Sequence, residues 1–297
     1  MATIDANAFT TGATAHAYVA PTLWSSAIEK QVYESEVMRP LGVQDNRGFN
    51  KAGKQINIAK GNSFTVSDLT EGTVTPVTTI TYDQVTVTFV ERGDAKMVTM
   101  KELSEAFDET MDDMIYSAGK ALGFKRDLVI ITALVAGATA TIYSNDVVAT
   151  TITASDTFNI DLIADGVTAG RLLNFNKNAL IINPNCENSL MKLSAFIDAS
   201  QYGGREAVLN GEIGKYLGVR IFSHTQIPSV TENSTFTVFK NLMLGERSFV
   251  FAPKMGVKLE WKRETNRDRA VTFHYWENYG VSVLNAESIH ILKSVGG

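Results

Sequence analysis

Four histidines and one cysteine are the side chains best suited to metal or nucleophilic chemistry, and their spacing argues against both. His16, His224, His274 and His290 form no H-x-x-x-H pair, and none stands at ligand spacing from Cys186. A lone cysteine builds neither an intramolecular disulfide nor a cysteine-based zinc site. His274 alternates with Phe273 and Tyr275, so it reads as a ladder or surface residue of a strand. Cys186 follows Pro184 and Asn185 near a helix start. A low-pKa thiolate is one reading there; a small buried side chain is the favoured one. The acidic run Glu102, Glu105, Asp108, Glu109, Asp112 and Asp113 contains the carboxylates that acid–base or metal chemistry requires. Its spacing equally suits the solvated face of a helix and the positive end of the helix dipole, which is the preferred reading.

Lys258, Lys262, Arg263, Arg267 and Arg269 form the densest basic cluster and surround Trp261. Glu260, Glu264 and Asp268 interleave with them, so the segment reads as a charge-balanced hairpin tip for pairing with another subunit. The sequence contains no G-x-x-x-x-G-K-[ST], G-x-G-x-x-G or G-x-S-x-G motif. No catalytic, cofactor-binding or metal-ligating residue is therefore assigned, and no enzymatic activity is expected.

The chain of 297 residues has room for about two domains. Its 44% hydrophobic content supports a sizeable core. A net charge of -5 argues against a protein whose main task is gripping nucleic acid, because phosphate binding needs clustered cations. It is compatible with enclosing nucleic acid neutralised by other cations. The start, MATIDANAFTTG, lacks the basic and apolar runs of a secretory leader. No stretch approaches the roughly 18 apolar residues of a membrane span. A soluble cytoplasmic protein is expected.

The elements that would position these residues follow from periodicity. Residues 1–18 are small and polar and read as an arm. Trp24, Ile28 and Val32 stand at helical spacing in an amphipathic helix that ends before Pro40. Ile56 and Ile58, then Val85, Val87 and Phe89, alternate with polar residues as strands do. The Thr- and Gly-rich stretch between them reads as a long extended hairpin or loop. It has too few large apolar residues for a core of its own, and an isolated hairpin is marginal in water. A neighbouring subunit is an economical support.

Thr99 and Glu102 have the spacing of a capping box, with Val98 and Leu103 as a hydrophobic staple. Leu103, Phe107, Met111, Met114, Ala118 and Leu122 recur at helical intervals, continuing through Leu128, Ile131 and Leu134 to Gly137. Unbroken, this helix has about 38 residues and a length of about 57 Å. That exceeds the diameter of roughly 50 Å expected for a compact globule of this size, so it would form a spine. Gly119 and Gly123 are the two positions where it would break. Asn159 is a candidate cap for a helix carrying Ile160, Ile163, Val167 and Leu172. Residues 179–183 read as a buried strand stopped by Pro184, followed by a short helix with Leu190, Leu193 and Phe196. Val219, Ile221 and Phe222 mark a further strand. Four strands are expected at the end: 249–251, 257–261, 271–276 and 288–292.

This order of parts resembles the major capsid (coat) proteins of tailed bacteriophages, the HK97-like family. The resemblance is carried by APTLWSSAIEKQVYESEV, GKQINIAKGNSFTVSDLTEGTVTP, QVTVTFVERG, the long helix, NGEIGKYLGVRIFSHTQIP and a β-rich C-terminus. Its most specific part is NGEIGKYLGVRIFSHTQIP together with an F-A-P-x-x-G turn at Phe251 to Gly256.

The resemblance implies an α+β HK97-like capsid fold with an N-terminal arm and helix (1–50) and an extended loop (51–83). It further implies a peripheral domain with the spine helix (84–138 and 240–297) and an axial domain (139–239). It implies self-association into pentamers and hexamers of an icosahedral or prolate head around double-stranded DNA, contacted non-specifically. Scaffolding, portal and decoration proteins are the further partners it suggests, with assembly in the host cytoplasm, residence in the virion, no membrane and no cofactor. The Lys–Asn cross-link of some members has no matching residues and is not expected. Two alternatives stand beside this reading. One is an encapsulin-like compartment shell. The other is a β-rich enzyme or carbohydrate-binding module using Trp261, Tyr275, Trp276 and Tyr279 as exposed aromatics.

Overall fold

The computed structural model describes residues 26–33, 35–61, 66, 68, 71, 77, 79, 81–99, 109–193, 212–264 and 270–297. Glu102 and Leu103 of the expected capping box and staple, Trp24, Phe196, His16 and the tip residues Arg267, Asp268 and Arg269 lie outside them, while Val98 and Thr99 end a described strand.

Four helices of six residues or more are described. Residues 26–33 and 35 lie in α1. The others are α2 (Glu109–Gly137), α3 (Ile160–Leu172) and α4 (Pro184–Met191). Thirteen strands run β1 (Val43–Gln44), β2 (Gln55–Gly61), β3 (Tyr82–Thr88), β4 (Val90–Thr99), β5 (Ala140–Tyr143), β6 (Lys177–Ile182) and β7 (Glu212–Tyr216). They continue with β8 (Val219–Ser223), β9 (Ser229–Glu232), β10 (Phe236–Gly245), β11 (Phe249–Glu264), β12 (Ala270–Val283) and β13 (Ile289–Val295).

The strands form three sheets. A four-stranded sheet has the order β1-β11-β12-β4. A seven-stranded sheet runs β5-β13-β10-β6-β8-β7, with β9 on β10. The third sheet is β2 paired with β3 alone. The seven-stranded sheet thus takes in β13 from the far end of the chain.

The spine helix is continuous through both glycines. The described part has 29 residues, about 43 Å at 1.5 Å per residue. Gly119 and Gly123 do not break it because they are where α1 lies against it. A Cβ at position 119 would stand 2.6 Å from Gln31 Cβ, and one at 123 would stand 2.0 Å from Ser35 Oγ. Ile28 and Val32 of α1, Ala118 and Leu122 of α2, and Val257, Leu259, Phe273 and Tyr275 of the four-stranded sheet share one core. Further along, Ile130, Ile131 and Leu134 pack on Ala179, Ile181, Leu242, Leu244 and Ile291, one face of the seven-stranded sheet. The alternate residues Leu180, Ile182, Met243 and Leu292 point to the opposite face, against Leu162, Ile163 and Val167 of α3 and Leu190 of α4.

Several expectations are met locally. Asn159 Oδ1 accepts a hydrogen bond from Leu162 N–H at 2.8 Å and caps α3. Pro184 opens α4 at its first turn, where no hydrogen-bonding N–H is needed. The expected strand at Val219, Ile221 and Phe222 is β8; beyond that expectation, Leu217 and Gly218 both have positive φ, as a two-residue hairpin turn joining β7 to β8 requires.

Others are corrected. Leu172 ends α3 with 79% of its surface exposed, so it lies off the helix's buried face of Leu162, Ile163, Gly166, Val167 and Gly170. Leu128 is exposed, while Ile130 and Asp127 are buried in its place. The buried positions advance in steps of four, as pairs 118/119, 122/123, 126/127 and 130/131, so the packed stripe passes beside Leu128. The F-A-P-x-x-G segment is not a turn. It lies within the 16-residue strand β11, which absorbs it through register shifts at Pro253/Met255 and Met255/Lys258. Segments 249–251 and 257–261 are consequently one strand. Tyr275 and Tyr279 are buried rather than exposed, which removes the aromatic platform of the carbohydrate-binding reading.

Replacing an exposed helical glycine by alanine stabilises by up to about 1 kcal/mol through helix propensity. At Gly119 the clash with Gln31 reverses the sign. Gly119→Ala is expected to lower the thermal midpoint by several degrees in calorimetry, and an increase would show that α1 does not seat there.

Candidate functional site

A buried polar cluster sits where α2 passes between the two large sheets. Arg126 and Asp127 are adjacent on the helix and both are buried. Their side chains serve different neighbours. Arg126 Nε donates to Glu277 Oε2 of β12 at 2.9 Å, and a second guanidinium nitrogen contacts the same oxygen. Arg126 NH1 donates to Glu36 Oε2 at 3.0 Å, just beyond α1. Glu36 Oε1 accepts from Arg39 at 2.9 Å. Burial alone would lower the Arg126 pKa, but Glu277 and Glu36 hold it above the ordinary arginine value. Burial pushes the Glu277 carboxyl up, opposed chiefly by Arg126.

Asp127 fixes backbone. Its Oδ2 accepts from Val37 N–H and its Oδ1 from Met38 N–H, both at 3.0 Å. Oδ2 also meets His224 Nε2 at 3.0 Å. Gln226 N–H donates to His224 Nδ1, so Nδ1 carries no proton and the Nε2–H donates to Asp127. The cluster joins four parts of the chain: the bend after α1, the middle of α2, the segment after β8, and β12. It positions elements relative to one another.

Beside it lies a cleft of about 440 Å³ between α1, β11 and β12, lined among others by Glu29, Tyr33, Arg39, Phe251 and Met255. The Arg39 guanidinium lies 4.4 Å from the Tyr33 ring centre and 5.4 Å from that of Phe251.

The second feature is the β2–β3 hairpin. Gln55 pairs with Thr88 and the ladder runs seven pairs to Gly61 opposite Tyr82. Val87 is fully buried at its root against Val250 and Ala252, with Ile56, Ile58 and Phe89 partly buried beside it. Most of the other hairpin side chains are exposed. Gly48 and Gly280 make room for this root. A Cβ at 48 would meet Phe89 Cζ at 2.6 Å, and one at 280 would meet Thr88 O at 2.6 Å.

The residues singled out from the sequence do not converge. Cys186 is buried on α4 beside Ser294 and Asn241, and burial raises its thiol pKa. His274 lies on β12 between Glu260 and Ala95. His290 is buried on β13 against Lys177. Trp261 packs edge-on to Phe273 at 4.9 Å. No group of three or more His, Cys, Asp or Glu among the described residues is placed to hold a metal ion. No described helix is long and apolar enough to cross a membrane. Sequence reasoning missed Arg126, Asp127, Glu36 and Glu277. The available signal was a charged pair lying on the apolar stripe of α2.

A profile described as "Phage capsid protein" matches residues 81–292, most of the chain. The chain belongs to this phage capsid protein family. Its fold is HK97-like, as solved capsids show. The capsid of Ralstonia phage GP4 superposes with a TM-score of 0.71 at 12% identity, over 89% of this chain and 92% of that one. The Cyanophage P-SCSP1u capsid gives 0.64 at 13% identity, over 88% and 89%. Mycobacterium phage Che8 gives 0.64 at 18% identity, over 86% and 90%. A comparison with curated proteins gives no match. In this capsid protein the buried cluster ties the spine helix to the sheet that continues into the hairpin arm.

Removing one partner of a buried ion pair costs roughly 3–5 kcal/mol, because the other charge stays buried. Arg126→Met is expected to lose that much in urea denaturation, since Glu277 is left without its hydrogen-bonded cation and Glu36 keeps only Arg39. A loss below 1 kcal/mol would show that the cluster is solvated.

Proposed function

We propose that this capsid protein is the repeating subunit of a phage head, in which pentamers and hexamers close an icosahedral or prolate shell around double-stranded DNA. The observation that carries this reading is the β2–β3 hairpin. It forms a sheet of its own, rooted at Val87, with most of its side chains open to solvent. Two strands gain little stability alone in water. In a shell the arm lies on the neighbouring subunit, and each such contact recurs at every symmetry-related position. Apolar burial of about 25 cal/mol per Å² then accumulates over many copies, although each single contact is modest.

Within this reading the arm and first helix take residues 1–50, the extended loop 51–83, and the peripheral domain with the spine helix 84–138 and 240–297. The axial domain takes residues 139–239. The net charge of -5 suits a wall that touches DNA non-specifically and lets it leave. Portal, scaffolding and decoration proteins would meet the shell during assembly in the host cytoplasm, and the finished subunit would reside in the virion. The role is structural, without catalysis.

Gly61 stands opposite Tyr82, so a two-residue Asn-Gly turn can replace residues 62–81 and close β2 on β3. This variant is expected to keep the subunit's thermal midpoint within a few degrees and to abolish closed particles in electron microscopy. Full-sized shells from the shortened protein would remove the arm from the assembly mechanism.

A further inference from the structure

The seam over β10, the strand between β6 and β13, contains two basic side chains and, among the described residues, no acid. Lys177 is 6% exposed and His290 1% exposed. Lys177 Nζ lies 2.5 Å from His290 Nδ1 and 2.6 Å from the Ser288 carbonyl oxygen. An ammonium only donates, so Nδ1 accepts and the imidazole is neutral, with its proton on Nε2. The lysine stem is held by α3. A Cβ at Gly170 would stand 2.4–3.0 Å from Lys177 Cε, Cγ and Cδ.

The surroundings offer no counter-charge. Asp161, Asp165 and Arg171 on α3 are exposed, as are Arg220 on β8, Glu246 and Arg247 after β10, and Glu287 before β13. Tyr143 is the titratable group on β5, and it bonds instead to Lys293 of β13 and Glu232 of β9. Lys240 of β10 lies toward the opposite end of that strand from Gly245, which pairs with Lys177. Buried cations are ordinarily paired. This one rests on a neutral imidazole and a carbonyl.

We propose that the Lys177–His290 contact is an acid-sensitive latch in the seven-stranded sheet, holding β6, β10 and β13 together while His290 is neutral and releasing them when it is protonated. Protonation replaces the acceptor at Nδ1 with a donor and sets two cations side by side in a dry seam. Opening exposes both to water. The latch does not depend on the shell reading, because every group in it belongs to one subunit.

The electrostatics agree in sign. Burial, then Lys177, lowers His290 from 6.5 to about 4, and burial lowers Lys177 from 10.5 to about 8. An opened or unfolded chain therefore binds more protons at His290 between about pH 4 and 6.5. The closed state loses stability as pH falls through that window. For these two values the opening equilibrium rises roughly 50-fold between pH 7 and pH 4.5.

Hydrogen–deuterium exchange of the whole protein at pH 7, 5.5 and 4.5, corrected for intrinsic exchange, tests this. Peptides covering 177–182, 240–245 and 289–295 are expected to lose protection at least tenfold at pH 4.5, with α2 and β12 little changed. His290→Gln keeps a polar side chain that does not titrate, and it is expected to flatten the response. Lys177→Met is expected to weaken it. Overturning results are unchanged protection at the seam, an equal loss across all elements, or an acid response that persists in His290→Gln. Should His290→Gln fail to fold, Lys177→Met decides: an undiminished response overturns the latch.

Discussion

Arg126 and Asp127 are the constraint on which the rest of the molecule turns. They stand at consecutive positions on one helix and are buried in different company. Arg126 binds carboxylates from the end of α1 and from β12, while Asp127 binds two backbone amides and a histidine. Taking charges out of water costs several kcal/mol each, and their mutual attraction repays this only with good geometry. The pair is thus a poor source of net stability and a strong source of register. A shift of α2 by one residue would strand both charges at once. Apolar side chains at these positions would tolerate such a shift.

Register matters because α2 serves two cores. Its first half packs on α1 and the four-stranded sheet, its second half on the seven-stranded sheet. The change-over falls at residues 126 and 127. Glycines at 119 and 123 bring α1 close, and the ion cluster locks α1's end just beyond that contact. The two sheets are therefore fixed to one rod, and the chain crosses between them through Gly245 to Phe249 and Val283 to Ile289 without a long linker.

Much of this was legible in the amino-acid order. Helical spacing located α1, α2 and α3, and alternation located β2, β3 and β8, because a buried face leaves a period in the sequence. Asn159 announced its cap because the capping geometry is local. The buried ion cluster was not legible. The place of Arg126 and Asp127 on the apolar stripe hints at burial, but their partners Glu36, Glu277 and His224 arrive from about 90 to 150 positions away. The single long strand β11 was hidden by Pro253 and Gly256, which read as a turn until the register shifts with β12 accommodate them. Burial of Tyr275 and Tyr279 was missed for a related reason. Alternation does not tell which face of a sheet will be covered.

At Phe89 the backbone leaves one ladder and enters another. Residues up to Thr88 pair with β2, and from Val90 onward they pair with β12. Tension applied to the arm therefore runs along a continuous strand into ten consecutive pairs, from Val90–Tyr279 to Thr99–Ala270. Those hydrogen bonds lie perpendicular to the strand, so they share the load in shear instead of parting one at a time. The arm is anchored as a rope is by a long splice, and the body of the protein bears whatever pulls on it.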